Sequence, residues 1–174
     1  MRHFFVTLLL ALTVAACGGG PQKATSPPAP VALSEEALSF YCQMNVLEHP
    51  GPKAQIHLAG APAPLFFAQV RDAIAFIKSE ERPGDVLAIY VSDMGKAPSW
   101  DAPGDDNWTL ASTAKFVVGA KQSGGMGAPE IVPFSSEDAA QAYAKRKGGK
   151  VMALAEIPAQ SVLGEVMLFE GEQL

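Results

Sequence analysis

The sequence predicts an α+β domain made of two ββαβ-like halves with small mixed or antiparallel sheets, and three observations point to it. Short alternating or apolar runs of strand length are separated by Pro- and Gly-rich turns. Helical spacing replaces that alternation in two places, near residues 69–80 and 137–147. The order strand–helix–strand then occurs twice with similar lengths. At one constant offset, Phe67 falls on Phe134, Ala73 on Ala140, Ala75 on Ala142 and Phe76 on Tyr143, as an internal duplication would leave them.

Taken in order, residues 38–46 alternate, with Leu38, Phe40, Cys42, Met44 and Val46 on one face and Ser39, Gln43 and Asn45 on the other. Period two predicts a strand. His49-Pro50-Gly51-Pro52 forces a turn, since neither proline can donate to a ladder. Short strands are expected at 55–58 and 64–67. Val70, Ala73, Ile74 and Ile77 then lie at helical spacing, with Arg71, Asp72 and Lys78 outside, which predicts a helix over 69–80. Pro83-Gly84 ends it, and 86–91 reads as a buried strand. A loop rich in Asp, Gly and Pro covers 92–107, followed by short strands at 109–110 and 116–118. The strand at 131–134 ends at Ser135 or Ser136, either of which can cap the helix 137–147. Gly148-Gly149 stops that helix, and 151–154 returns as a strand.

The first 16 residues have the parts of an export signal: Arg2, an apolar run over 4–14, and the small pair Ala15-Ala16. That run is short of the about 20 residues a membrane span needs. Val14-Ala15-Ala16-Cys17 has the form of a bacterial lipobox, in which Cys17 becomes the lipidated first residue. Residues 18–33 hold three glycines in a row, several prolines and no hydrophobic period, so a flexible tether is expected after Cys17, with the domain proper at 34–174. Lipid chains would hold such a protein at the periplasmic face of a membrane with no spanning helix. Gly18, where Asp is absent, slightly favours the outer membrane. The formal net charge is −5, and the basic trio Lys145-Arg146-Lys147 reads as a solvated helix end, so nucleic acid is not an expected partner.

No HExxH, GxSxG, CxxC or phosphate-loop pattern occurs, and no local context resembles a cysteine hydrolase, so no enzyme is expected. Asp101, Asp105 and Asp106 lack the alternation of a calcium loop and read as solvated. Sulfur is the remaining signal. With Cys17 lipidated, Cys42 has no disulfide partner in an oxidising compartment. On a strand, Cys42 and Met44 would project from one face with Cα atoms about 6.6 Å apart. Thiolate and thioether are soft donors that select Cu(I), whereas zinc asks for four ligands. Met126, in Gly124-Gly125-Met126-Gly127, has no bulky neighbour to hold it in a core, and Met94 is a weaker case of the same kind. Met152 falls in a strand pattern and is expected in the core. The competing reading is plain packing: Cys42 and Met44 share their face with Leu38, Phe40 and Val46, and both residue types fill cores. His49 before Pro50 reads as a turn residue, and His57 as a residue on a strand's outer face.

These stretches together resemble a known family, the nitrous oxide reductase accessory lipoproteins of NosL type. The resemblance rests on Cys42-Gln43-Met44, Glu48-His49-Pro50-Gly51-Pro52-Lys53-Ala54-Gln55-Ile56, Val70-Arg71-Asp72-Ala73, Ala88-Ile89-Tyr90-Val91-Ser92-Asp93-Met94, Trp100, Trp108, Gly124-Gly125-Met126-Gly127-Ala128-Pro129-Glu130, Val132-Pro133-Phe134 and Gly148-Gly149. It implies a lipid-anchored Cu(I) chaperone serving maturation of the copper centres of nitrous oxide reductase. The implied partners are the periplasmic part of a maturation transporter complex and, indirectly, the reductase. It also implies paired ββαβ units with an organomercurial-lyase-like architecture, without the lyase activity, which needs a cysteine pair absent here. Cys42 and Met44 match the family's copper motif, and Met126 matches a methionine proposed as a further ligand. His49 matches the family's histidine, whose role as ligand, turn or partner contact stays open. The alternative of another class is a structural or partner-binding lipoprotein that holds no metal.

Overall fold

The computed structural model describes residues 26–81 and 83–166. The expected signal segment, Cys17 and the start of the tether lie outside the described residues. The first half runs through β1 (Ala54–Leu58), β2 (Leu65–Phe67), α1 (Val70–Lys78) and β3 (Val86–Ser92), and β4 (Trp108–Leu110) extends it. The second runs through β5 (Lys115–Val118), β6 (Val132–Phe134), α2 (Glu137–Lys147) and β7 (Lys150–Ala153), and a short α3 (Gln160–Leu163) follows. The strand orders are β2-β1-β3-β4 and β6-β5-β7, and every neighbouring pair is antiparallel.

In each half the first strand is central, the second flanks it, and the helix crosses over to put the third on the other side. Registers agree as well: Ala54 lies opposite Phe67 and Val91, and Lys115 opposite Phe134 and Ala153. The repeated order expected from the sequence is the observed topology. The halves differ in the connection between their first two strands. Residues 59–64 join β1 to β2 briefly, whereas residues 119–131 form a long loop between β5 and β6, and Met126 sits on it.

All five residues of β1 are buried. Ala54, Ile56 and Leu58 face a core shared with Val70, Ile74 and Phe76 of α1, and Phe116, Ile131, Ile157 and Val162 join that same cluster from the second half and α3. One core therefore holds both halves, at about 1.5–3 kcal/mol for each large apolar side chain removed from water. Arg71 donates to the carbonyls of Ser161 at 2.8 Å and Val162 at 3.4 Å, pinning α3 against α1. At α2, Ser136 is the cap and its hydroxyl accepts from the Ala139 N–H at 3.4 Å. Gly148, at φ +79, ends that helix in the left-handed region that glycine enters without cost.

Two expectations are corrected. Residues 38–46 form no strand but a tight turn, closed by Ser39 N–H to the Met44 carbonyl at 2.8 Å and Gln43 N–H to the Ser39 carbonyl at 2.9 Å. The alternation misled because burial does not follow it: Ser39 is buried, Leu38, Phe40 and Met44 are exposed, and Val46 alone of the expected face is buried. Phe40 packs edge-on against Phe76, with ring centres 5.4 Å apart, and Tyr41 against Phe67 at 5.7 Å, so contact with aromatic neighbours replaces a strand's buried face. The second correction concerns His57, expected on a strand's outer face. The backbone of Val31 exchanges two 2.8 Å hydrogen bonds with the Gln55 carboxamide, Pro28 accepts from the Tyr90 hydroxyl at 2.7 Å, and Leu33 is buried. This segment crosses the face of β1 opposite α1. It buries His57, whose Nε2 lies 3.0 Å from Gln55 Oε1, so His57 is not on an outer face.

Candidate metal centre

The Cys42-Gln43-Met44 turn is anchored on the end of β2. Phe40 N–H donates to the Phe66 carbonyl at 2.7 Å, and Ala68 N–H donates to Ser39 Oγ at 3.4 Å. Gln43 has φ +58, the one non-glycine in the left-handed region among the described residues. That conformation costs roughly 1–2 kcal/mol for an L-residue. The Gln43 carboxamide offsets part of this cost by donating to the Phe40 carbonyl at 2.8 Å and the Ser39 carbonyl at 3.3 Å. Cys42 is a free, half-buried thiol, and Met44 is 45% exposed. The structure thus removes the shared strand face that the spacing suggested, and leaves both sulfurs on a single exposed turn instead.

Met126, 43% exposed, occupies a second loop beside the first turn of α1. Gly127 N–H donates to the Gly124 carbonyl at 3.0 Å and Gly124 N–H to the Ala128 carbonyl at 2.8 Å, making the loop a compact turn. Its glycines are required by space. A Cβ at Gly125 would stand 2.7 Å from His49 Cβ and 2.8 Å from the Pro50 carbonyl oxygen. One at Gly124 would stand 2.7 Å from Glu130 Oε2 and closer still to Gln69 Oε1.

Residues 68 and 69 connect the two loops. Ala68 bonds Ser39 of the cysteine turn, and Gln69 Oε1 accepts the Met126 N–H at 3.0 Å. Gln69 Nε2 donates onward to Asp72 Oδ2 at 3.2 Å. Burial first, and then the Asp72 carboxylate, raise the Tyr41 phenol above its usual range. Burial also raises Asp72 itself, against the Gln69 hydrogen bond and the nearby Arg71 charge.

Beneath the methionine loop lies a buried polar layer. His49 Nδ1 is 3.2 Å from the Gly125 carbonyl oxygen. A carbonyl only accepts, so Nδ1 carries the proton and donates, while Nε2 is buried with no hydrogen-bond partner. Lys53 is fully buried, and its ammonium donates to the carbonyls of His49 at 2.5 Å, Gly51 at 2.7 Å and Pro50 at 3.3 Å, holding the His-Pro-Gly turn from inside. Burial lowers Lys53 to about 8, with the charge of Glu130 acting in the opposite sense. His49 and Lys53 also line a cavity of about 200 Å³ with Leu33, Leu47, Asp101 and Asp105. Among the described residues, no three His, Cys, Asp or Glu side chains gather to hold a metal ion.

A family model described as NosL matches residues 30–162, most of the described chain. The chain belongs to the NosL family. It is 51% identical over 167 residues to the copper-binding lipoprotein NosL of Achromobacter cycloclastes, covering 95% of this chain and 86% of that protein. Identity to the copper-binding lipoprotein NosL of Stutzerimonas stutzeri is 32% over 162 residues, covering 92% and 81%. The fold is similar to the crystal structure of the copper chaperone NosL from Shewanella denitrificans, with a TM-score of 0.71 and 32% identity, covering 76% of this chain and 97% of that one.

For this NosL-family chain, the structure brings the Cys42–Met44 turn and the Met126 loop to the same post at residues 68 and 69. The remaining candidates lie elsewhere. His57 is bound under the N-terminal segment, and burial lowers its pKa. Met94 packs on the cluster of Val132, Phe134 and Ala140, and Met152 packs on the main core as expected. The residues that sequence reasoning missed are Ser39, Lys53, Gln69 and Glu130. Gln69 carries one usable signal: it directly precedes a helix, where Ser, Thr, Asp or Asn would be favoured. Lys53 and Glu130 gave none, because an isolated charge in a sequence looks solvated.

Proposed function

We propose that the protein carries a single Cu(I) ion, bound by the Cys42 thiolate with the thioethers of Met44 and Met126. It is held by lipid on Cys17 at the periplasmic face of a membrane, the outer membrane slightly favoured. The observation that carries this reading is the convergence of two sulfur-bearing, solvent-exposed loops on Ala68 and Gln69. Soft sulfur donors select Cu(I), and Cys42 supplies the one anionic ligand. Two exposed thioethers suit a carrier, because low coordination and an open site permit release. The names of the relatives, copper-binding lipoprotein and copper chaperone, support the same reading and describe no catalyst. The implied recipients are the periplasmic part of a maturation transporter complex and, through it, the copper centres of nitrous oxide reductase.

Exposed Leu38, Phe40, Tyr41 and Leu47 beside the thiol favour a second reading, a partner-docking turn that holds no metal. Cu(I) titration separates the two. A one-to-one complex that shields Cys42 from thiol reagents supports the carrier; a Cys42 equally reactive with and without Cu(I) sinks it.

A further inference from the structure

The amide of Met126 and the carbonyl of Gly125 belong to the same peptide group, and each is held by a different buried side chain. His49 Nδ1–H donates to the Gly125 oxygen at 3.2 Å, and Gln69 Oε1 accepts the Met126 N–H at 3.0 Å. A peptide group is planar, so fixing both of its polar ends fixes the plane and with it the position of the Met126 Cα, from which the side chain departs. We propose that His49 and Gln69 are positioning residues for copper binding, which clamp the Gly125–Met126 peptide so that the exposed thioether stays aimed at the ion held by the Cys42–Met44 turn. This rests on the copper reading above.

The sequence neighbours of Met126 do not aim its side chain. It is 43% exposed, and Gly124, Gly125 and Gly127 offer no side chain to pack against it. An unrestrained methionine carries three rotatable bonds on a mobile backbone, and ordering both on binding would cost affinity. The clamp takes the backbone share of that ordering before the ion arrives.

Both clamp residues are themselves held. The Lys53 ammonium grips the His49 carbonyl, and the Gln69 Nε2 bond to Asp72 leaves its Oε1 as the free acceptor. Gln69 occupies the cap position of α1 yet makes no cap hydrogen bond. Glu130 performs that task in its place, its Oε1 accepting the Arg71 N–H at 2.9 Å. The Gln69 carboxamide is therefore spared from capping and turned to Met126. The glycines at 124 and 125 belong to the same device, since a Cβ at either would strike Gln69 or His49.

The test is Cu(I) affinity, measured by chelator competition on the mature protein with Q69L, H49F, M126L and each clamp variant combined with M126L. Partners that orient a metal ligand typically contribute 10–100-fold in affinity, so Q69L and H49F should each weaken Cu(I) by about tenfold, and X-ray absorption should show one sulfur fewer. In the M126L background neither change should weaken binding further. An equal loss with and without Met126 overturns the clamp, because the residues would then act on the fold or, for His49, as a ligand. Unchanged affinity in Q69L overturns it too, as does unchanged affinity in M126L, which leaves carriage by Cys42 and Met44 standing. Full affinity in Cys42→Ser instead overturns the copper reading itself. Should Q69L fail to fold, amide hydrogen exchange on the metal-free wild type decides: a protected Met126 amide supports the clamp, and free exchange overturns it.

Discussion

Glu130 Oε1 accepts the backbone N–H of Arg71 at 2.9 Å and that of Ile131 at 2.8 Å, so an acid from the loop behind Met126 caps a helix of the other half. The carboxyl is fully buried, and its second oxygen has no hydrogen-bond partner. Desolvation dominates and lifts Glu130 to about 8, against the two N–H donors and Lys53.

That position makes stability fall with pH. Between 4.5, its ordinary value, and about 8, the folded protein holds a proton here that the unfolded chain has released. The contribution is full below the unfolded value and is lost as pH rises through about 8. Glu130→Gln keeps the Oε1 acceptor and cannot ionise, so its denaturant midpoint should vary less than wild type across that range. Equal pH profiles for the two proteins would show that Glu130 does not titrate this way.

Cys42→Ser should abolish tight Cu(I) binding, since it removes the anionic ligand, and Met44→Leu should weaken it. Met44 is exposed, so its replacement should change stability by less than about 0.5 kcal/mol. Urea denaturation beside chelator competition separates the two effects. A loss of affinity in Met44→Leu that tracks a loss of stability would count against Met44 as a ligand.

Gly125→Ala should be costly although its side chain is one carbon. The new Cβ meets His49 Cβ and the Pro50 carbonyl oxygen at under 3 Å, and these belong to a turn that Lys53 grips from inside. Forced overpacking typically costs about 1–3 kcal/mol. The thermal midpoint should drop, and Cu(I) affinity with it; wild-type values for both would mean that the loop yields freely.

A domain beginning at residue 26 should be more stable than one beginning at 34. The shorter form loses both Val31–Gln55 hydrogen bonds, the Pro28–Tyr90 bond and the buried Leu33. It also opens the cover over His57. Exchanging the two Val31–Gln55 bonds for water costs about 0.5–1.5 kcal/mol each. Equal midpoints for the two forms would return residues 26–33 to the tether.

Much of the fold was legible in the amino-acid order because it follows from local periodicity. Helical spacing at Val70, Ala73 and Ile74, the Ser136 cap and the Gly148 stop each act within a few residues, and both helices lie where they were expected. The repeat was legible for the same reason, as Phe67 and Phe134 keep equivalent registers. So were the sulfurs of Cys42, Met44 and Met126 as candidate ligands, since donor softness belongs to the residue type.

What only the tertiary structure decided is how those sulfurs are presented. The alternation of 38–46 implied a strand, but the chain turns back at Gln43 because Phe40 and Tyr41 find aromatic partners on β2 and α1, far away in sequence. Nothing near Gln69 or Glu130 announces that the second caps a helix so that the first can hold Met126. Those are pairings between residues about sixty positions apart, and hydrogen bonds of that range exist only after the two halves share a core. Local periodicity is written along the chain; the aim of a side chain is set by whatever the folded core brings against it.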